Sequence, residues 1–189
     1  MSMKLAGPRP GPALPQERGG PGLEATEFYS PPHASFASGV HGAIIEVDPK
    51  TGMVSFLKYA AVHDCGRVIN PMVVEGQVHG GVAQGIGGAF YERLVYNEEG
   101  QIINASFMDY LLPTAAEVPP ITVGHVETPS PLNPLGMKGA GEAGVIPVPA
   151  LFASAIDDAL APFGLRVREM PLHPCKVYEL LKQAQKKSQ

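Results

Sequence analysis

One glutamate lies in a glycine-rich segment that could place a carboxylate beside a large ligand. Residues 139–144 read Gly-Ala-Gly-Glu-Ala-Gly, with Glu142 between glycines on both sides. Glycine lets a backbone pass close to a bulky group because it has no side chain to collide with it. A helix predicted just after this segment would add backbone N–H groups that favour an anion. The segment predicts that Glu142 is a general base in a dry crevice; the alternative is a surface turn that carries an exposed glutamate.

Other residues that could do chemistry form weaker patterns. The six histidines show no paired metal spacing, although His63 and Asp64 could act as an acid and a base. Lys138 precedes its glycine and no Ser or Thr follows it, which argues against a phosphate-binding loop. Residues 85–88, Gly-Ile-Gly-Gly, lie in the middle of a predicted helix, which argues against a dinucleotide fingerprint.

The most periodic stretch of the chain, residues 72–94, predicts a helix with two stripes. One stripe is apolar and repeats every four residues: Val74, Val78, Val82, Ile86 and Phe90. The other combines glycines, amides and one tyrosine: Gln77, Gly80, Gly81, Gln84, Gly88 and Tyr91. Each helical glycine costs about 1 kcal/mol relative to alanine, so something must require close approach. Tight packing of another helix or strand is one explanation, and a ligand that lies along the helix is the other.

Strands and further helices must position these two segments. Residues 43–47 and 53–62 are β-rich and flank an Asp-Pro-Lys-Thr-Gly turn, which predicts a hairpin. The rest of the chain predicts strands at 101–107 and 121–127, a long ordered loop at 128–142, and helices at 145–163 and 174–186. These elements predict an α+β fold, in which the hairpin and strands pack with a glycine-rich helix and a second long helix.

The composition indicates one domain with an arm and excludes several classes of function. The chain has 189 residues and a formal charge of -4, with no basic patch for nucleic acid and no apolar run that could span a bilayer. We expect no signal peptide and a reducing cytoplasm, with Cys65 and Cys175 as buried thiols. The predicted boundaries are a flexible Pro/Gly-rich arm at 1–22, a domain at 23–173, and a C-terminal helix and tail at 174–189.

Five motifs follow one another in a recognisable order. They are Asp-Cys-Gly-Arg-Val-Ile-Asn-Pro at 64–71, Glu-Gly-Gln-Val-His-Gly-Gly-Val-Ala-Gln-Gly-Ile-Gly at 75–87, Phe-Met-Asp-Tyr at 107–110, Pro-Ser-Pro-Leu-Asn-Pro at 129–134 and Lys-Gly-Ala-Gly-Glu at 138–142. This set resembles the C-terminal part of the molybdopterin-binding large subunit of the xanthine dehydrogenase, aldehyde oxidase and aerobic carbon monoxide dehydrogenase family. The resemblance extends over residues 23–182.

The resemblance implies a molybdenum hydroxylase and a role for five residues. In this family a pyranopterin dithiolene, often with an attached cytosine nucleotide, holds the molybdenum, so the chain itself supplies no metal ligand. Glu142 would be the general base, and the Gln77 amide would hydrogen-bond the pterin or its oxo ligand. Gly139 and Gly141 would pass close to the cofactor, and Lys138 would set the loop. The implied fold is the C-terminal molybdenum-cofactor-binding domain of these enzymes.

Important parts of the family's pattern are missing from this sequence. The family's subunit is several times longer, and its upstream portion carries other pterin contacts and the substrate-selecting loop. The resemblance also implies 2Fe-2S clusters and FAD on separate subunits, since this chain has no matching cysteine set or flavin fingerprint. We therefore expect the upstream half of the molybdenum subunit, an iron–sulfur subunit and a flavin subunit as partners, and self-association of the chain when alone.

The expected function is that of one component of a hydroxylase for an aldehyde, an N-heterocycle or a similar small substrate, with the isolated chain inactive. A second interpretation is a non-catalytic interaction module or an incomplete remnant that binds no cofactor alone. A third is a stand-alone nucleotide-binding protein, against which the phosphate-loop spacings argue.

Overall fold

A three-stranded sheet forms one layer of the computed structural model, which describes residues 28, 30 and 32–187. β1 (Ser38–Val47) and β2 (Val54–Asp64) form an antiparallel hairpin, and β3 (Ile121–His125) pairs with β2 in parallel. The predicted hairpin is therefore confirmed, together with the strand predicted after residue 120. The chain divides into two units, residues 1–30 and 31–189, and all of these elements lie in the second. The predicted arm at 1–22 lies outside the described residues.

The structure has three α-helices: α1 (Pro71–Ile86), α2 (Val148–Ala159) and α3 (Pro174–Lys187). α1 and α2 pack on the inner face of this sheet, and α3 joins the same core. α1 begins where the Asn70 side chain accepts a hydrogen bond from the backbone N–H of Val73 at 3.2 Å. It continues as a π-helical turn over Gly87–Tyr91, and a 3-10 turn over Ala161–Phe163 follows α2. None of the described helices is long and apolar enough to cross a membrane.

The hydrophobic core lies between the inner face of the sheet and the helices. Phe56, Phe90 and Phe152 meet there, with pairs of ring centroids separated by 4.9, 5.0 and 5.1 Å. Such aromatic pairs add about 0.5–1.5 kcal/mol each beyond the burial of their area. Val177 and Leu181 bring α3 into the same core. Since α2 packs across β1 and against α1, this core fixes where α1 lies relative to the start of α2.

Two predictions from the sequence are wrong. Residues 101–107 form no strand; a single bridge joins Tyr96 to Ile102. The Asn104 side chain accepts a hydrogen bond from the Val95 N–H at 2.9 Å, where a partner strand's carbonyl would otherwise accept. A β-rich run forms a strand only where another strand is available to pair with it. The other error concerns the cysteines, because Cys65 is buried but Cys175, in the first turn of α3, is exposed.

Candidate functional site

The apolar stripe of α1 determines which side of the helix remains exposed. Val78, Val82 and Ile86 are buried in the core, as their four-residue spacing predicts. The opposite side of the helix carries Gln77 and Gln84, which are both exposed. The Gln77 amide makes no side-chain hydrogen bond to any residue that the structure describes. Its donor and acceptor groups are thus available to a ligand or to another chain.

The glycines of α1 and of the π-helical turn after it divide into two groups with different surroundings. A side chain at Gly81 would meet the backbone of Gly144 at 2.8 Å, and one at Gly85 would meet Val148 at 2.5 Å. These two glycines therefore serve the close packing of α1 against the start of α2. A side chain at Gly76, Gly80 or Gly88 would meet nothing within 4 Å. Packing within this chain explains Gly81 and Gly85. It does not explain the other three glycines, beside which a ligand or another chain could lie.

The glutamate loop, residues 139–144, lies directly against α1. A side chain at Gly144 would come within 2.6 Å of the Val78 carbonyl oxygen, so the two backbones touch. A side chain at Gly141 would lie 3.9 Å from the Gln77 Oε1 atom. Gln77 and the loop that carries Glu142 are widely separated in the sequence, and the fold brings them side by side.

Glu142 is exposed, as the alternative of a surface turn predicts, and the residues that the structure describes form no dry crevice around it. Its backbone carbonyl accepts a hydrogen bond from the Val145 N–H at 3.1 Å, which starts the turns that lead into α2. Its carboxylate makes no hydrogen bond to a described residue. Any exclusion of water from this carboxylate must come from groups beyond those the structure describes.

Lys138 is anchored to the end of β2 by two contacts. Its Nζ atom lies 3.2 Å from the Asp64 Oδ2 atom, and both side chains are 16% exposed. Its backbone N–H donates to the Cys65 carbonyl at 2.7 Å. Asp64 Oδ1 also accepts from the backbone N–H groups of Gly66 at 2.9 Å and Thr128 at 3.1 Å. Hydrogen bonds from Thr128 and Gly66, with a smaller contribution from Lys138, hold the pKa of Asp64 far below its usual range.

The loop before Lys138 is held by a close approach of two glycines. Gly66 has a φ of 69°, and a side chain there would collide with the Gly136 carbonyl oxygen. That oxygen accepts hydrogen bonds from the N–H groups of Arg67 and Ser130, each at 3.0 Å. Asn133 closes the turn, because its side chain accepts from the Met137 N–H at 3.0 Å and donates to the Met137 carbonyl at 2.8 Å. The Pro-Ser-Pro-Leu-Asn-Pro segment is therefore an ordered turn that fixes the start of the glutamate loop.

A histidine network on the inner side of the sheet was missed by sequence reasoning. His41 Nδ1 lies 2.6 Å from the Tyr59 hydroxyl, and His41 Nε2 lies 2.6 Å from His63 Nε2. Burial, with a contribution from His63, lowers the pKa of His41 to about 4. Burial, with a contribution from His125, also lowers the pKa of His63. The alternation of buried Tyr59 and His63 along β2 was the available signal.

The acid–base pair suggested for His63 and Asp64 is not formed. Adjacent residues of a strand point to opposite faces of a sheet. His63 is 2% exposed and contacts His41, whereas the Asp64 carboxylate faces Lys138 and two backbone N–H groups. Asp64 thus serves to hold the glutamate loop, which its sequence position alone did not indicate.

The site has the parts needed to hold a group and move a proton. An exposed amide on the helix lies beside the loop that carries an exposed carboxylate, and the helix also has open glycines. An amide can donate and accept hydrogen bonds, and a carboxylate can serve as a general base. Within the described residues, no group of three His, Cys, Asp or Glu side chains is placed to hold a metal ion.

Comparisons with known proteins agree on one family. The model of the molybdopterin cofactor-binding domain family matches residues 12–119, which include Gln77 and end before the glutamate loop. The nicotine 6-hydroxylase large subunit of Paenarthrobacter nicotinovorans is 45% identical over 162 residues, which are 86% of this chain and 20% of that subunit.

Solved structures extend the likeness over the glutamate loop. Carbon monoxide dehydrogenase from Oligotropha carboxidovorans superposes with a TM-score of 0.82 and 36% identity, over 88% of this chain and 21% of that one. Quinoline 2-oxidoreductase from Pseudomonas putida 86 superposes with a TM-score of 0.75 and 43% identity, over 78% of this chain and 19% of that one. This chain spans about a fifth of the length of these relatives. It belongs to the molybdopterin cofactor-binding domain family and corresponds to one part of a molybdenum hydroxylase large subunit.

Proposed function

We propose that this chain contributes a general base and part of the cofactor-binding wall to a molybdenum hydroxylase. The observation that carries the proposal is the packing of α1 against the glutamate loop, which sets Gln77 beside Gly141. Both proposed contributors, Gln77 and Glu142, are exposed, which supports a ligand site shared between the helix and the loop. Membership of the molybdopterin cofactor-binding domain family supports a pterin ligand for this region.

The residues present fit a large cofactor of this kind. The open positions at Gly76 and Gly80 of α1, and at Gly88 of the π-helical turn, would let it approach the backbone. The Gln77 amide would orient it through hydrogen bonds, and Gly141 would leave it room beside the loop. At Gly139 a side chain would instead meet the Ser35 carbonyl oxygen at 3.3 Å, so this glycine serves a contact within the chain. Lys138 would act through its ion pair with Asp64, which fixes where the loop begins.

The proposal divides the chemistry between the cofactor and this chain. When bound, a molybdenum–pyranopterin group supplies Lewis acidity and accepts electrons, with the metal held by the pterin dithiolene. Glu142 would take a proton from the attacking oxygen nucleophile at its carboxylate. Since this chain leaves Glu142 exposed, the rest of a large subunit would exclude water there and match its proton affinity to the reaction.

The substrate class, cofactor form and partners are further parts of the proposal. Two relatives are named for nicotine and quinoline, both N-heterocycles, and a third for carbon monoxide. We propose an N-heterocycle, an aldehyde or a similar small molecule as substrate, and a pterin that carries a cytosine nucleotide. The upstream part of a large subunit, an iron–sulfur subunit with 2Fe-2S clusters and a flavin subunit with FAD would complete the enzyme. The isolated chain would be inactive.

The test is Glu142→Gln in the assembled enzyme. This change keeps the shape of the side chain and removes the base, so we expect molybdenum content to stay unchanged. Turnover should fall by about 10²–10⁴-fold, the usual contribution of a general base. Glu98→Gln is the matched control, because Glu98 is also exposed but lies in a turn remote in sequence. Turnover equal to that of the control would refute the role of Glu142, and an assembled enzyme without molybdenum would favour the non-catalytic interpretation.

A further inference from the structure

The outer sheet face is the side of the sheet away from the helices, and most of its exposed side chains are apolar. It consists of Val40, Ile44, Leu57, Ala60, Val62 and Val126. The exposed fractions of four of them are large: 75% for Val40, 54% for Ile44, 51% for Leu57 and 45% for Val62. Where one side of an antiparallel hairpin faces water, that side normally carries polar residues. The outer sheet face therefore resembles a surface that is normally buried, although the described residues do not cover it.

The outer sheet face is concave as well as apolar. One cavity of about 740 Å³ lies between Ile44, Leu57 and Ala60 and extends to Pro120 and Thr122. A second, of about 230 Å³, lies between Val40, Val62 and Val126. Concave apolar surfaces of this kind accept side chains from another packed layer. The outer sheet face therefore offers a partner both apolar area to bury and recesses that can accept its side chains.

This face carries little charge. Lys58 lies opposite Ile44 and lines the larger cavity, whereas residues 40–44 and 60–62 include no Asp, Glu, Lys or Arg. Away from Lys58, a charged partner surface would lose its hydration without gaining an opposite charge. The complementary surface is therefore mainly apolar, as the buried layers within a single subunit are.

We propose that the outer sheet face docks an apolar layer of the large-subunit polypeptide that this chain does not match. This inference rests on the proposed function, since it takes the chain to work within such a subunit. The chain matches only 20–21% of its relatives, so four fifths of the subunit remains to be placed. The helices of this chain already cover the inner side of the sheet. The outer side is the large sheet surface left for the remaining polypeptide.

The test measures the reactivity of cysteines introduced on this face. The probe is the nicotine 6-hydroxylase large subunit with its matching fifth deleted, mixed with the full 189-residue chain. Val62→Cys and Leu57→Cys are made in a Cys175→Ser background, because Cys175 is exposed and would react by itself. We expect the rate of maleimide labelling at either position to fall at least tenfold in the complex. Phe163→Cys, an exposed apolar position in the 3-10 turn after α2, is the control and should react at the same rate in both states.

A second measurement uses charge on the same face. Val62→Lys adds a cation at an exposed position, so the chain should fold normally and bind the probe at least tenfold more weakly. Phe163→Lys should bind the probe as tightly as the unmodified chain does.

A complex in which both cysteines stay fully reactive would overturn the docking surface and leave the proposed function intact. The absence of any complex would contradict both. The labelling rates are compared at a concentration at which the chain alone is monomeric. Cysteines that the probe protects no more than an equal amount of added cysteine-free chain does would assign the face to a second copy and overturn the inference.

Discussion

At the scale of single residues, Asp64 links the sheet to the proposed base. One carboxylate oxygen accepts two backbone N–H groups, and the other faces the Lys138 ammonium at 3.2 Å. Because Lys138 immediately precedes the glutamate loop, the geometry of Glu142 depends on Asp64, a residue that would touch neither cofactor nor substrate. Asp64 is in this sense a positioning residue.

Asp64→Asn should loosen the glutamate loop and leave the rest of the fold intact. Asparagine keeps one acceptor for the N–H of Gly66 but loses the charge that holds Lys138. We expect backbone amides over residues 128–139 to exchange with solvent faster, on the order of tenfold, while those of α3 are unchanged. Hydrogen exchange followed by mass spectrometry of the full chain measures this. Asp158→Asn is the control, because Asp158 is exposed on α2; equal exchange in the two variants would show that Asp64 does not anchor the loop.

Gly81 and Gly80 are adjacent in α1 and should respond in opposite ways to alanine. At Gly81 the added methyl group would lie 2.8 Å from the Gly144 backbone, so Gly81→Ala should lower the free energy of unfolding by about 1–3 kcal/mol. At Gly80 it would meet nothing within 4 Å, so Gly80→Ala should raise it by up to about 1 kcal/mol. Urea unfolding of the two variants measures both changes.

In the assembled enzyme, Gly80→Ala should still reduce molybdenum content if the cofactor lies along this face of α1. Full molybdenum content would argue that the cofactor does not lie there.

At the scale of elements, the histidine network should make the hairpin sensitive to acid. The ordinary pKa of histidine is 6.5, whereas that of His41 is held at about 4 in the folded chain beside Tyr59 and His63, with His125 near His63. Between these two values the unfolded chain binds a proton that the folded chain does not. The free energy of unfolding should therefore fall as the pH drops from 6.5 towards 4, and level off below that.

Urea unfolding at a series of pH values measures this loss. His41→Gln removes the titrating group and keeps a side chain that can hydrogen-bond, so its stability should depend less on pH in that window. His33→Gln, at an exposed position, should retain the full dependence of the unmodified chain. If the two variants show the same pH dependence, the network does not carry the effect.

The spacing of apolar residues predicted an element correctly where that element's own sequence decides its type and its buried side. The four-residue repeat of Val78, Val82 and Ile86 fixed the buried side of α1, and the Asp-Pro-Lys-Thr-Gly turn located the hairpin. Residues 101–107 failed because a strand depends on a partner, and there the Asn104 side chain binds the Val95 N–H. Sequence can show β-rich composition but not which backbone groups are already taken.

The roles of the candidate site residues stay predictions. The ordered motifs singled out Gln77 and Glu142, and the fold brings their segments together. The exposure of Glu142 agrees with the alternative of a surface turn, and the local sequence could not decide between the two because burial of a loop depends on distant parts of the chain. The anchoring by Asp64 was missed for a related reason, since its contacts with Thr128 and Lys138 join distant segments.

At the scale of the whole molecule, we propose one explanation for the exposure of both the outer sheet face and the Glu142 carboxylate. The chain spans about a fifth of its relatives, and the proposed assembly would cover the outer sheet face and shield Glu142. One set of contacts would then supply stability at the sheet and a dry environment at the site. Assembly and activation of the proposed base would then be coupled, because the described residues cover neither the outer sheet face nor Glu142.

The chain by itself should therefore self-associate through its exposed apolar surface. Isolated proteins rarely leave contiguous apolar patches of several hundred Å² in water. We expect the weight-average mass from sedimentation equilibrium to rise with concentration in the micromolar range. Leu57→Lys, which places a charge on the outer sheet face, should shift the distribution towards monomer, whereas Phe163→Lys should have a smaller effect. A full chain that stays monomeric at all concentrations would show that this surface does not need a cover, and would weaken the case for a chain built to pack within a larger subunit.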